Sequence, residues 1–276
     1  MRFTKMHGLG NDFVFIENPD NIEMDYSAIA IKWCHRQLGI GADGLVVVLP
    51  STVANLRMRI INSDGSEANM CGNAIRCFAR YAYDNELIQT LKFSVETFAG
   101  IIIPEIITAN EYEVSVRVNI GKPSTERSLI PMLGDEKNAI HIPVHIDNQE
   151  LYLTSLLMGV PHTMVFVNDL NTIDLEKAGR AIEKNAIFPK GTNVNFVEVV
   201  DRTHIKIRTW ERGAGSTLAC GTGSCASTVA SVLNHLTERT VTVELQYGNL
   251  EIEWSEDGTV FMTGPAEKSF TGEVSI

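Results

Sequence analysis

The chain is predicted to be an α+β protein made of two similar lobes with largely antiparallel sheet. Three observations predict it: strand-like segments far outnumber helical ones, their order repeats once along the chain, and one cysteine in each half opens a helix at a matched position. Alternating or β-branched runs occur at FVFIEN, GLVVVL, LRMRIIN, LKFSVETF and EYEVSVRVNI. They continue through LYLTSLLM, MVFVND, VNFVEVV, HIKIRTW, VTVELQY and LEIEW. Helices are expected at residues 26–38, 73–84, 174–184 and 222–235, the third opened by Asp174 as N-cap.

The repeat is ordered. GLGNDFVFIEN resembles GVPHTMVFVND, GADGLVVV resembles GTNVNFVEV, LRMRIIN resembles KIRTWE, and SVETFAG resembles TVELQYG. The offset between equivalents drifts only from 151 at Phe15 and Phe166 (166 − 15) to 148 at Gly100 and Gly248 (248 − 100). These four segments, with Cys71 and Cys220 at an offset of 149 (220 − 71), keep one order at nearly one offset and point to a duplication. The expected organisation is an N-terminal lobe over 1–121 and a loop-rich connection over 122–148. A C-terminal lobe over 149–265 and a tail over 266–276 returning to the first lobe complete it.

Of 276 residues, 44% are hydrophobic, enough for a sizeable core, and the formal charge is -11. An acidic chain without a Lys/Arg cluster disfavours nucleic acid and anionic membrane as partners and leaves a small molecule as the expected one. No run of about 18 apolar residues and no export-signal pattern is evident, so a cytoplasmic location is expected. Five cysteines, an odd number, then read as reduced thiols.

The chemistry is expected in MCGNAIRC (70–77) and ACGTGSCA (219–226). A helix N-terminus presents unpaired amide N–H groups that attract a carboxylate and favour a neighbouring thiolate. Gly72 and Gly221 leave that backbone open to a ligand. If Cys71 and Cys220 face each other across the cleft between the lobes, one thiolate removes the α-proton of a bound amino acid and the other thiol returns one to the opposite face. That inverts the centre with no metal or organic cofactor. Cys34, Cys77 and Cys225 read as small core residues. The cysteine spacings do not match zinc knuckles in both halves, no P-loop is present, and nucleotide binding is discounted. Asn11, Asn62, Asn73, Asn193, Glu211 and Arg212 lie at strand ends or turns of the matched segments, and His162 stands in the second half where Asn11 stands in the first. Arg212 could pair with a second carboxylate. His7, His35, His141, His145, His204 and His235 read as structural or exposed.

KMHGLGNDFV, GIGADG, NSDGSEANMCGNAIRC, PHTMVFV, GTNVNFV, ERGAGSTLACGTGS and MTGPA together resemble the diaminopimelate epimerase family over nearly the whole chain. The resemblance implies two lobes, each a barrel-like sheet around a central helix, usually as a homodimer. It implies a cofactor-independent isomerase that interconverts LL- and meso-diaminopimelate for lysine and peptidoglycan precursors. Carried over by motif, Cys71 and Cys220 are the base and acid pair. Gly72, Asn73, Gly221 and Thr222 hold the reacting carboxylate and amino group. Asn11, Asn62, Asn193, Glu211 and Arg212 grip the substrate, and His162 and Glu211 steady the thiols. Val160, Ser216 and Gly44 depart from the usual pattern, which bears on substrate range. A racemase of another amino acid, such as a basic one, and a binding module without turnover are the alternatives.

Overall fold

The computed structural model describes residues 1–110, 114–146 and 149–274. The chain folds as two compact units, residues 1–119 with 263–276 and residues 120–262, and passes from one to the other within a single strand each way. In order, the first unit contributes β1 (Arg2–Gly8), β2 (Asn11–Glu17), α1 (Tyr26–Trp33), β3 (Gly44–Leu49), β4 (Leu56–Asn62), β5 (Glu67–Ala68), α2 (Gly72–Asp84), β6 (Val95–Thr97), β7 (Gly100–Ile102), β8 (Glu105–Ala109) and β9 (Val114–Gly121). The second contributes β10 (Ile142–Ile146), β11 (Gln149–Met158), β12 (Val160–Val167), α3 (Leu175–Glu183), β13 (Asn193–Asp201), β14 (His204–Glu211), β15 (Gly215–Thr217), α4 (Gly221–Leu233), β16 (Thr240–Leu245), β17 (Gly248–Trp254) and β18 (Val260–Pro265), and β19 (Glu267–Glu273) closes the chain. The first three residues of the expected strand EYEVSVRVNI and the last two of the tail lie outside the described residues.

The main sheet of the first unit runs β19-β1-β2-β3-β4-β6-β7 with β5 on β4; in the second the order is β10-β11-β12-β13-β14-β16-β17-β18 with β15 on β14. Most pairs are antiparallel, yet β2 with β3 and β4 with β6 are parallel, as are β12 with β13 and β14 with β16. The same parallel pairs recur at equivalent places, so the sequence repeat is a repeat of topology. The returning segment pairs with the N-terminus, Arg2 opposite Glu273.

Each unit surrounds one helix. α4 packs against β11, β12, β13, β14, β16 and β17, and most of its residues are buried. Its composition, GTGSCASTVASVL, explains how: small side chains let strands approach on several sides. Two of its hydroxyls turn back to the preceding turn, Ser224 Oγ to Cys220 O at 3.0 Å and Ser231 Oγ to Ser227 O at 2.8 Å. α2 packs against β1, β2, β3, β8 and β19. The outer helices are held by their own caps and cores. Asp25 accepts from Ala28 N at 3.0 Å and Asp174 from Lys177 N at 3.1 Å. α3 lies so close on Trp210 that a Cβ at Gly179 would be 2.5 Å from its ring.

Two elements differ from the reading of the sequence. The helix expected to reach residue 38 stops at Trp33, because the amides of Ile40 and Gly41 fold back onto the Trp33 carbonyl at 2.7 and 2.9 Å and terminate it. The expected connection over 122–148, whose last two residues lie outside the described ones, is no bare link over 122–146. Ile130, Met132, Ala139, Val144 and Ile146 are buried with Leu153, Phe196 and Trp210 in the core of the second unit.

Candidate active site

In the first unit Cys71 is the N-cap of α2, with extended backbone (φ -140°, ψ 125°) that directs the chain into the helix. Its Sγ lies 3.7 Å from Asn11 Oδ1, and Asn73 Nδ2 donates to the same oxygen at 3.0 Å. Asn11 in turn donates through Nδ2 to Asp43 at 2.7 Å. Asp43 is held by Arg36 at 2.7 Å, and Arg36 also binds both carboxylate oxygens of Asp12, at 2.9 and 3.2 Å. Behind these stands Lys5, almost wholly buried, 2.6 Å from Asp12 and bonded to the Gly41 carbonyl. The parallel pairing of β2 with β3 creates this cluster by bringing the GNDF and GADG turns side by side. Gly8 lies next to it, and a Cβ there would be 2.9 Å from the end of the buried Arg76 side chain, which would have to shift. Asn62 ends β4 opposite Gly44, the residue after Asp43, and its side-chain amide bonds Ser66 at 2.9 Å, closing the turn to β5.

In the second unit Cys220 is the N-cap of α4, and its Sγ accepts from Gly223 N at 3.4 Å. Thr222 Oγ1 is 3.6 Å from that sulfur and 3.0 Å from His162 Nε2. His162 is fully buried, and loss of solvation pushes its pKa down to about 3, so the ring is neutral at physiological pH. Its Nδ1 lies 3.2 Å from Asn195 Nδ2, and Asn195 Oδ1 accepts from Thr209 at 3.0 Å. Asn193, opposite His162 in the parallel pair β12 and β13, donates to Pro161 O at 3.0 Å and accepts from Arg212 N at 2.9 Å. The Arg212 guanidinium donates to Lys190 O at 2.9 Å, and Glu211 accepts from Thr217 at 2.6 Å.

The other thiols lie in a different environment. Cys34 and Cys77 are buried, and loss of solvation pushes both up to about 12, far from any working pH. Among the described residues no group of three or more His, Cys, Asp or Glu could hold a metal ion, and no helix is long and apolar enough to cross a membrane.

Residues 3–126 and 154–269 match the family described as diaminopimelate epimerase. The chain belongs to the diaminopimelate epimerase family. It is 49% identical over 276 residues to a diaminopimelate epimerase of Caldanaerobacter subterraneus subsp. tengcongensis, covering 100% of both chains. It is 50% identical to one of Desulfitobacterium hafniense, covering 99% of this chain and 97% of the relative. Solved structures share the fold at low identity. A phenazine biosynthesis protein of the PhzF family from Bacillus anthracis matches with TM-score 0.71 and 18% identity over 100% of this chain and 99% of its own. A hydroxyproline epimerase from Agrobacterium vitis matches with TM-score 0.69 and 14% identity over 99% and 90%. Membership in the diaminopimelate epimerase family makes the chain an isomerase.

Within each unit the structure gathers most of the residues expected from the sequence: Asn11, Cys71, Gly72 and Asn73 in one, His162, Cys220, Gly221 and Thr222 in the other. Sequence reasoning missed Asp43, Asn195, Thr209 and Gly223. Asn195 carried a signal, a lone amide inside the apolar run VNFVEV, which is buried on both faces at its start. Gly44 has a packing reason, since a Cβ there would be 2.9 Å from the Ile61 carbonyl.

The Lys5, Asp12 and Arg36 cluster predicts acid lability of the first unit. Burial alone would raise the Asp12 carboxyl, but hydrogen bonds and charge from Arg36 and Lys5 outweigh it and hold Asp12 below the ordinary carboxylate range. A depressed carboxyl contributes stability that is complete above its unfolded value and is lost as pH falls through the folded one. Urea midpoints are therefore expected to fall below about pH 4. Asp12→Asn should remove that dependence and cost about 3 kcal/mol at neutral pH by leaving Lys5 buried without its carboxylate. A variant as stable as the parent would show that the cluster contributes nothing.

Proposed function

We propose that this chain interconverts LL- and meso-2,6-diaminopimelate by proton transfer at one α-carbon between two thiols, serving lysine and peptidoglycan precursor synthesis. The observation that carries the reading is that Cys71 and Cys220 each stand at the N-cap of the helix their unit surrounds, the same place in two repeated topologies. In this reading the substrate carboxylate takes hydrogen bonds from amides that open the two helices, at Gly72, Asn73, Gly221 and Thr222, and the α-carbon lies between the sulfurs. One sulfur, as thiolate, takes the α-proton. The electron pair left on carbon spreads into the carboxylate as an enolate-like dianion, whose added charge faces amide donors already in place. The opposite thiol then gives its proton to the other face, so the thiolate and thiol have exchanged and the centre is inverted. Asn11, Asn62, Asn193, Glu211 and Arg212 are assigned to the substrate's polar groups, Arg212 to a distal carboxylate. His162 is too weakly basic to take a proton itself. It acts as a neutral donor that orders Thr222 beside Cys220. A homodimer in the cytoplasm completes the reading.

Incubation with LL-diaminopimelate in heavy water is expected to put deuterium at one α-carbon while the meso isomer accumulates. Retention of the α-hydrogen would reduce the protein to a binder. A panel of amino acids with one carboxylate tests the rival substrate class, which exposed Val160 favours because the family usually has an asparagine there. Turnover of those compounds alone would overturn the assignment. The opposed placement has its own test. Mild oxidation is expected to join Cys71 to Cys220, detectable by peptide mapping, since sulfurs that flank one carbon need only a small movement to reach bonding distance. Oxidation that never yields that pair would count against it.

A further inference from the structure

The two cysteines match in topology and in helix length, but the groups fixed beside their sulfurs have opposite polarity. At Cys71 the orientation of Asn11 is settled by its neighbours. Its NH₂ faces the Asp43 carboxylate at 2.7 Å, which can only accept, and its Oδ1 receives Asn73 Nδ2 at 3.0 Å. The atom turned to Cys71 Sγ at 3.7 Å is therefore an acceptor. Asp43 cannot readily release that amide, because Arg36 and the Asp12 amide hold it at 2.7 and 3.1 Å.

At Cys220 the thioether of Met164 orients Asn195. Thr209 donates to its Oδ1, and its NH₂ faces both His162 Nδ1 at 3.2 Å and the thioether of Met164 at 3.8 Å, an acceptor only. Asn195 donating to Nδ1 leaves the ring proton of neutral His162 on Nε2, where it is donated to Thr222 Oγ1 at 3.0 Å. Thr222 then has its own hydroxyl proton to offer to Cys220 Sγ at 3.6 Å, beside the amide of Gly223 at 3.4 Å. Acceptors favour a protonated sulfur and donors an ionised one.

We propose that this opposite polarity decides where the proton rests between turnovers, on Cys71 with Cys220 as the resting thiolate, and that Asp43 and Asn195 are the positioning residues that set it. The inference rests on the two-thiol reading of the site. It makes the two directions unequal: the free enzyme is poised to abstract from the face that Cys220 meets. Several ionisable groups bear on the sulfurs. Cys71 is reached by Asp43 through Asn11, with Arg36, Asp12 and Lys5 behind, by Arg76 one turn along α2, and by the Cys77 thiol on the same helix. On the strands packed against the start of α4, His162 of β12 reaches Cys220 through Thr222, and Glu211 of β14 binds Thr217, three residues ahead of it.

The test is the pH dependence of iodoacetamide alkylation of the peptides carrying each cysteine, read by mass spectrometry. It is made in Cys71→Ala for Cys220 and Cys220→Ala for Cys71, so that coupling between the thiols does not mix the midpoints. The midpoint for Cys220 is expected at least one pH unit below that for Cys71, a tenfold difference in thiolate population. Thr222→Val and Asn195→Leu should raise the Cys220 midpoint, Thr222→Ser should restore it, and Asp43→Asn should shift only Cys71. Should Asn195→Leu fail to fold, the Thr222 pair carries the result. Equal midpoints, a lower one for Cys71, or a Cys220 midpoint indifferent to Thr222→Val would overturn the proposal. Deuterium incorporation by the unmodified enzyme is scored separately. If it fails, the epimerase reading falls, while the midpoints still report the polarity of the two sulfurs.

Discussion

Cys71→Ser and Cys220→Ser are each expected to lower epimerisation by about 10²–10⁴-fold, the range of a well-placed acid or base. Serine keeps the size and the N-cap position, and both cysteines already have the extended backbone that a serine N-cap adopts, φ -140° at Cys71 and -119° at Cys220. The melting temperature should therefore stay within a few degrees of the parent, which separates lost chemistry from lost structure. A hydroxyl in this place is far harder to ionise than a thiol, and His162 does not make up the difference, because burial leaves its ring too weakly basic and its hydrogen bond goes to Thr222. Rates in both directions should fall together, since each sulfur is base in one and acid in the other. A near-normal rate in either variant would rule out the paired scheme.

Gly223→Ala is expected to damage both the stability of the second unit and the activity. The added Cβ would meet Asn195 Oδ1 at 2.5 Å and both Cβ and Sγ of Cys220 at 3.2 Å. Helix α4 cannot move away, because strands pack against it on several sides. Overpacking of this kind costs about 1–3 kcal/mol. The contact falls on the amide that orients His162, so activity should fall more than tenfold even below the melting transition, a loss of over 1.4 kcal/mol in transition-state stabilisation. Thermal unfolding and initial rates on one preparation check both parts. Parent-like values for both would mean that the start of α4 is not packed as described.

The legible parts of the chain were those written in local pattern. Asp174 marked the start of α3 and the observed cap confirms it, while FVFIEN and VNFVEVV, short runs rich in β-branched and aromatic residues, became β2 and β13. The helix from residue 26 is shorter than its hydrophobic spacing predicts because its ending depends on Ile40 and Gly41 folding back on Trp33, a contact that spacing does not contain. In the site, Cys71 and Cys220 were visible because each precedes a glycine at a helix start and the two positions repeat. Asp43 and Asn195 were not, since the work of each depends on which atom of its side chain faces a partner 32 or 33 residues away.

By itself the sequence determined the α+β class, the order of elements in each half and the presence of two helix-capping thiols, since backbone propensity and side-chain periodicity act over a few residues and can be read there. Only the tertiary structure decided that Asn11 offers Cys71 an oxygen while Thr222 can offer Cys220 a proton. Hydrogen-bond direction is set by every neighbour of an amide at once, and those neighbours come from strands that meet only when the sheets have formed.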